Sequence, residues 1–167
     1  MSATACEMTQ GSACPMGKVS KLIAQYGIVP LRVALGIIFI GHGAQKAFGL
    51  FDGPGIDAFA QMLAGLGLQP PLLHAYLAAY TELIGGLLLF LGMYTRFAAL
   101  GIAGTMVVAI ITVHLSGGLF AQNNGFEYPL TILTACIALM GTGAGPLSVD
   151  AVWKGLNQKV KETVAMD

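Results

Sequence analysis

The apolar stretch "VPLRVALGIIFIGHGAQKAF", residues 29–48, carries the clearest structural signal in this chain. It is long enough to cross a bilayer, because a helix needs about 20 residues to traverse a hydrocarbon core of roughly 30 Å. Near its end it carries His42 and Lys46, four residues apart and therefore on one face of a helix. The stretch predicts a membrane-spanning helix with two ionisable side chains that need an explanation.

The composition of the whole chain indicates a membrane protein. The 167 residues are only 10% charged and have a mean hydropathy of +0.76, whereas soluble domains are about 25% charged. The formal net charge is zero, so no basic field points to nucleic acid. We therefore expect the lipid bilayer as the main partner and no nucleic-acid partner.

Three more apolar stretches are long enough to span, and they cover residues 72–94, 97–115 and 128–149. Gly and Ala recur along one face of each, which lets membrane helices pack closely. Between the first and second stretch, residues 55–64 place apolar side chains at helical spacing. The sequence predicts an all-α integral membrane protein with four transmembrane helices in a compact antiparallel bundle and a short interfacial helix in the first outer loop.

The basic residues predict the orientation. Of the eight lysines and arginines, only Lys46 lies at the outer side of the predicted spans. The seven at the other side are Lys18, Lys21, Arg32, Arg96, Lys154, Lys159 and Lys161. The positive-inside rule then places both termini in the cytoplasm of a bacterial-type inner (plasma) membrane. No cleavable signal peptide is evident. We expect a flexible cytoplasmic tail at residues 1–22, a membrane domain at residues 23–150 and a short basic cytoplasmic tail at residues 151–167.

Ionisable residues are concentrated in the outer half of the predicted bundle. A charge inside a membrane costs roughly 2.5–3.5 kcal/mol on insertion scales and is commonly functional. Glu82 lies midway along the second span, and we expect Lys46 or His42 to be its partner, with Arg32 possible from the other side. Metal ligation, proton transfer with a quinone and simple charge neutralisation are all compatible with this set. The predicted catalytic residues are Glu82, His42 and Lys46, and the predicted ligand-binding residues are His114, Glu127 and His74.

The alternative for His74 and His114 is that they are ordinary interfacial residues. A second group of charges, Arg32, Arg96 and Asp150, lies near the cytoplasmic helix ends. This group could form a structural charge cluster that joins the helix ends. The alternative is that the arginines extend individually to the headgroup region.

The N-terminal segment has a separate pattern, C-x-M twice. Cys6 with Met8 and Cys14 with Met16 provide soft sulfur ligands that suit Cu(I). The pattern predicts a copper site, and the alternative is an incidental flexible tail. Cys136, in the fourth span, is interpreted as a small packing residue.

Four segments resemble successive signatures of the DoxX family of small four-helix membrane proteins. They read "LRVALGIIFIGHGAQKAFG", "TELIGGLLLFLGMYTRFAAL", "HLSGGLFAQNNGFEYPL" and "GTGAGPLSVD", within residues 31–150. The Cys/Met segment departs from the family pattern. The residues at the family's motif positions are Arg32, Gly36, His42, Gly43, Lys46, Glu82, Gly85, Gly86, Arg96, Glu127, Gly141, Gly143, Ser148 and Asp150.

The resemblance implies relatives among the membrane subunits of thiosulfate:quinone oxidoreductase and among proteins linked to thiol or oxidative-stress systems or found in metal-responsive operons. The first hypothesis is therefore a membrane subunit of a quinone-linked oxidoreductase with a soluble or membrane redox partner. The alternative is a non-enzymatic scaffold or a copper-type metal transport or homeostasis protein. A third possibility makes all the charges structural, and the small-residue faces leave a homo-oligomer open.

Overall fold

The computed structural model describes residues 15–164, which form helices and contain no strand within that range. The predicted all-helical class is confirmed. The α-helices of the described range are α1 Pro15–Tyr26, α2 Ile28–Phe48, α3 Gly55–Gly65, α4 Pro71–Leu91, α5 Thr95–Ala109, α6 Glu127–Thr142 and α7 Val149–Val164. Helix α5 continues through a π-helical turn, Ile110–His114, and a 3₁₀ turn, Leu115–Gly117.

Three helical stretches have the length and apolar composition of a membrane span. They are Val19–Phe48, Pro71–Leu91 and Thr95–Gly117. The fourth predicted span is shorter than expected, because α6 ends at Thr142 and not at Val149. Gly143 and Gly145 adopt φ values of 79° and 77°, and Pro146 follows, so the chain cannot continue the helix. With 16 residues, α6 is about 24 Å long.

Helices α2 and α4 are antiparallel and approach to backbone contact. A Cβ atom on Gly36 would lie 2.7 Å from the Phe90 nitrogen, and one on Gly86 would lie 2.6 Å from the Ile40 nitrogen. Side chains at these positions would force the helices apart. Because hydrophobic attraction is weak between helices in lipid, close contact through small residues is what holds such a pair together. This contact also fixes which residues of α2 face which residues of α4.

The main core lies between α2, α4, α5 and α6. One large side chain from each helix is almost fully buried there, namely Phe39, Leu89, Ile102 and Leu139. Cys136 is buried in the same cluster, in agreement with its interpretation as a packing residue. Large apolar side chains also cover the outside of the helices, as a protein surrounded by lipid requires.

Helix α3 is present where a short helix was predicted. Its apolar side chains Phe59, Ala60 and Leu63 are buried against Ala75 of α4. The short helix therefore packs onto the bundle, a contact that the sequence did not predict. This packing closes the space beside the end of α2.

The ends of the described range are also helical. Helix α1 begins within the segment that the sequence analysis assigned to a flexible tail, and Val19, Leu22, Ile23 and Tyr26 follow helical spacing along it. Helix α7 covers most of the predicted C-terminal tail. The domain boundaries at residues 22 and 150 stay predictions.

Candidate functional site

A buried lysine–glutamate pair lies between α2 and α4. Glu82 is 2% exposed, and it shares the inward face of α4 with Ala75, Ala79 and Gly86. The Lys46 Nζ atom donates hydrogen bonds to both carboxylate oxygens, at 2.5 Å each. The Lys46 side chain is 25% exposed and that of Glu82 is 3% exposed. A carboxylate removed from water is thus neutralised by one ammonium group that still reaches the surface.

The register of α2 against α4 explains why these two residues meet. Gly36 faces Phe90 and Gly43 faces Leu83, so seven residues forward on α2 correspond to seven residues backward on α4. Lys46 follows Gly43 by one turn, and side chains on a helix lean toward its N-terminus. The Lys46 side chain therefore leans back along α2 toward the level of Glu82.

The short helix α3 supplies the third side of the site. The Lys46 Nζ atom lies 5.3 Å from the centroid of the Phe59 ring, within the range of a cation–π interaction. Phe59 is itself 6% exposed. The sequence analysis did not assign Phe59 to the site, and its only signal was a large aromatic residue on the apolar face of the predicted short helix.

His42 does not join the pair. It lies one turn before Lys46 on α2 and is exposed, and its ring has no hydrogen-bond partner within the part of the chain that the structure describes. Of the three partners predicted for Glu82, which all lie on α2, the structure selects Lys46. The catalytic role of His42 stays a prediction.

The three predicted ligand-binding residues bind nearby loop backbone. His74 Nδ1 lies 2.8 Å from the Pro70 carbonyl oxygen, and His114 Nδ1 lies 2.9 Å from the Asn124 carbonyl oxygen. A Glu127 carboxylate oxygen accepts the Ala121 N–H at 2.8 Å. The structure does not bring these side chains into contact with Lys46 or Glu82. Helix ends and loops leave backbone groups that need partners, and these side chains provide them.

The charges at the opposite end of the bundle also bind backbone. Arg32, 2% exposed, donates to the Leu89, Phe90 and Leu147 carbonyl oxygens at 2.8, 3.0 and 2.7 Å. The Asp150 oxygens accept the Tyr94 and Thr95 N–H groups at the start of α5, at 2.9 and 3.2 Å. Arg96 donates to the Gly141 carbonyl oxygen at 3.2 Å. All three residues lie at one end, and each holds a helix terminus.

The predicted copper site lies largely outside the described residues. Cys6, Met8 and Cys14 fall in residues 1–14, and Met16 is described only by its place in the backbone of α1. Within residues 15–164 no group of three or more His, Cys, Asp or Glu side chains could hold a metal ion. The Cu(I) site therefore stays a prediction.

An apolar groove of about 530 Å³ runs between α4 and α5. Tyr76 and Tyr80 line it and stack on each other with ring centroids 6.0 Å apart. Neither Lys46 nor Glu82 lines this groove, which lies on a different face of α4. Its apolar lining suits lipid chains and adds no chemistry to the site.

The sequence profile of the DoxX family matches residues 27–115, which include Arg32, Lys46 and Glu82. The chain belongs to the DoxX family. The predicted family resemblance is thereby confirmed.

This DoxX protein is similar to named bacterial proteins along most of its length. It is 39% identical to "Putative oxidoreductase CatD" of Bacillus subtilis (strain 168), over 78% of this chain and 90% of that protein. It is 35% identical to "Inner membrane protein YphA" of Escherichia coli (strain K12), over 71% of this chain and 84% of that protein. No solved structure matches the chain. The family and the relatives establish a membrane protein.

Proposed function

We propose that this DoxX protein is the membrane subunit of a quinone-linked oxidoreductase and that the quinone binds at Lys46. The observation that carries the proposal is the buried Glu82 carboxylate, which a single, partly exposed lysine neutralises. A buried charge in a membrane bundle is costly and is retained where it has a use. The name of the Bacillus subtilis relative as an oxidoreductase supports the same reaction class.

The proposed chemistry uses the lysine as a proton donor. Reduction of a quinone to a quinol takes two electrons and two protons, and the electrons come from a reduced sulfur compound or thiol oxidised on a partner subunit. The Lys46 ammonium donates a hydrogen bond to one quinone carbonyl oxygen and transfers a proton to it as that oxygen gains electrons. Lys46 then regains a proton from its exposed side, and the second quinone oxygen takes its proton from solvent.

Glu82 and Phe59 position the lysine in this scheme. The Glu82 carboxylate fixes the position of the Lys46 ammonium group, because both of its oxygens accept hydrogen bonds from Nζ. The Phe59 ring contacts the ammonium from α3 and restricts where it can move. In the proposed orientation both termini are cytoplasmic, four segments cross the membrane, and α6 with residues 143–148 forms the fourth crossing.

A binding measurement tests the site without a partner subunit. Decyl-ubiquinone is titrated into the purified full-length protein by calorimetry, with Lys46→Met and Glu82→Gln as the variants. We expect at least tenfold weaker binding in Lys46→Met, which corresponds to about 1.4 kcal/mol. Glu127→Gln is the matched control, because Glu127 binds the loop at Ala121 and should leave quinone binding unchanged.

The same variants distinguish function from structure. Unchanged quinone binding in folded Lys46→Met and Glu82→Gln would rule out this site. Loss of folded protein in Glu82→Gln, seen as aggregation in size-exclusion chromatography, would favour a purely structural pair. Quinone reduction by membranes supplied with thiosulfate then tests the activity, and we expect Glu82→Gln to abolish it while the protein remains inserted.

The proposed orientation has its own test. Green fluorescent protein fused to the C-terminus becomes fluorescent only on the cytoplasmic side, and alkaline phosphatase is active only outside. We expect a fluorescent first fusion and an inactive second fusion. The reverse result would place the C-terminus outside and contradict the four-crossing orientation.

A further inference from the structure

A second pocket lies at the end of the bundle that contains Arg32, far along α4 from the lysine–glutamate pair. Its volume is about 430 Å³, and it opens between the start of α5, the segment after α6 and the start of α7. Arg96, Phe97, Thr142, Asp150 and Lys154 are among its lining residues. The proposed function makes no use of this pocket.

The electrostatics of the pocket favour an anion. Arg96 and Lys154 are exposed cations that both line it. Among the described residues, Asp150 is the only carboxylate in the lining, and its two oxygens already accept the N–H groups of Tyr94 and Thr95. Arg96 has five N–H donors and uses one hydrogen bond, to Gly141, within the described residues. Donors therefore remain for a phosphate.

One of the lining residues has a buried hydroxyl without a partner among the described residues. Thr95 also lines the pocket and is 0% exposed, and its Oγ1 atom has no hydrogen-bond partner among residues 15–164. Buried hydroxyls are normally paired, because leaving one unpaired costs about 1–3 kcal/mol.

The surroundings of the pocket are apolar and suit acyl chains. Phe97, in the lining, is 74% exposed. On α7 the side chains of Val149, Val152, Trp153 and Leu156 share one face and are exposed, and Lys154 lies on the polar side of the helix. A helix with one apolar face and basic residues on its polar side lies in the headgroup region of an anionic membrane. The cationic pocket and the apolar face of α7 thus lie at the same end of the bundle.

We propose that this pocket binds the phosphate of an anionic phospholipid between Arg96 and Lys154, with the apolar face of α7 against the acyl chains. A free phosphate would satisfy the two cations but would leave Phe97 and the α7 face uncovered, so the phospholipid fits the whole surface. The proposal does not depend on the quinone site.

Trp153 provides the measurement, because it is the only tryptophan of the chain and is 63% exposed on α7. The full-length protein is placed in phosphatidylcholine nanodiscs that contain a minor fraction of either dibrominated phosphatidylglycerol or dibrominated phosphatidylcholine, since bromine quenches nearby tryptophan. We expect stronger quenching by the brominated phosphatidylglycerol. In Arg96→Gln/Lys154→Gln we expect the two lipids to quench equally.

The control variant removes two positive charges from α1 instead. Lys18→Gln/Lys21→Gln alters α1, and we expect it to keep the excess quenching by phosphatidylglycerol. Lys154→Gln alone changes only an exposed helix position, so it should remain folded and lose part of the excess. Thermal unfolding of each variant confirms that the fold is retained.

Four outcomes would overturn the proposal. The first is equal quenching of Trp153 by both lipids in the unmodified protein, and the second is that Arg96→Gln/Lys154→Gln keeps the excess quenching by phosphatidylglycerol. The third is that Lys18→Gln/Lys21→Gln loses as much of this excess as Arg96→Gln/Lys154→Gln does. The fourth is that added inorganic phosphate abolishes the excess. The third would mean general attraction to the membrane surface, and the fourth would mean a site for free phosphate.

Discussion

Arg32 and Glu82 are equally buried, at 2% exposure each, and their partners differ in kind. Arg32 binds three backbone carbonyl oxygens, from the end of α4 and from Leu147. Glu82 binds one side chain, the ammonium of Lys46. Backbone groups are held by the helices and stay in place, whereas a lysine side chain has rotatable bonds and can exchange partners. The difference supports a structural role for Arg32 and is the basis of the proposed role of Glu82 in positioning Lys46.

The largest expected effect is at Arg32. Arg32→Met would remove the side-chain donor of three carbonyl oxygens, and of these only that of Leu89 keeps another donor, the N–H of Gly92. An unpaired buried acceptor costs about 1–3 kcal/mol, so we expect the other two to lower the free energy of unfolding by about 2–6 kcal/mol. Thermal unfolding of the detergent-solubilised protein measures this loss. Arg96→Gln is the control: Arg96 is exposed and makes one hydrogen bond, so the change should stay within about 0.5 kcal/mol. A melting temperature equal to that of the unmodified protein in Arg32→Met would contradict the structural role.

The second effect concerns the close contact between α2, which carries Arg32, and α4, which carries Glu82. Gly86→Leu would place a side chain against the backbone of Ile40, and overpacking of this kind costs about 1–3 kcal/mol or more. Gly104→Leu is the matched control, because nothing lies within 4 Å of a Cβ atom there. We expect a lower melting temperature only in Gly86→Leu. Equal melting temperatures for the two variants would mean that the close approach of α2 and α4 is not required.

The third effect concerns the lysine–glutamate pair. Lys46→Met leaves the buried Glu82 carboxylate without its hydrogen-bond donor, and an unpaired buried acceptor costs about 1–3 kcal/mol, so we expect a loss in this range in the free energy of unfolding. Lys46→Met/Glu82→Gln removes the uncompensated charge and should recover part of that loss. Melting temperatures of the four proteins in this cycle measure the coupling. A double variant less stable than Lys46→Met would show that the charge is not the cause.

The smallest effect is at the end that contains Arg32. Asp150→Ala removes the acceptor for the first N–H groups of α5, and loss of a helix cap costs about 1 kcal/mol. Asp150→Asn keeps an acceptor oxygen and should recover most of the stability. The comparison of melting temperatures checks both. An identical loss in Ala and Asn variants would mean that the negative charge, and not the hydrogen bond, stabilises this end.

The sequence predicted the contact between Lys46 and Glu82. It did not predict where the other ionisable side chains point, and the reason is the same for each of them. Lys46 was named as a partner of Glu82, because a lone carboxylate inside a span needs a cation and few are within reach. His42, on the same helix face by spacing, is exposed. His114 and Glu127 bind loop backbone. Depth along a helix follows from residue number, but the direction of a side chain depends on the rotation of each helix about its own axis.

The sequence by itself determined the helical class, the lipid environment and the family. Run length, low charge and the order of the Gly-rich motifs are local properties, and they need no knowledge of packing. The early end of α6 and the packing of α3 came only from the tertiary structure. The register of α2 against α4 also came only from the tertiary structure, and it brings Lys46 into contact with Glu82. These features depend on which small residues meet across helices, and that contact involves residues distant in the chain.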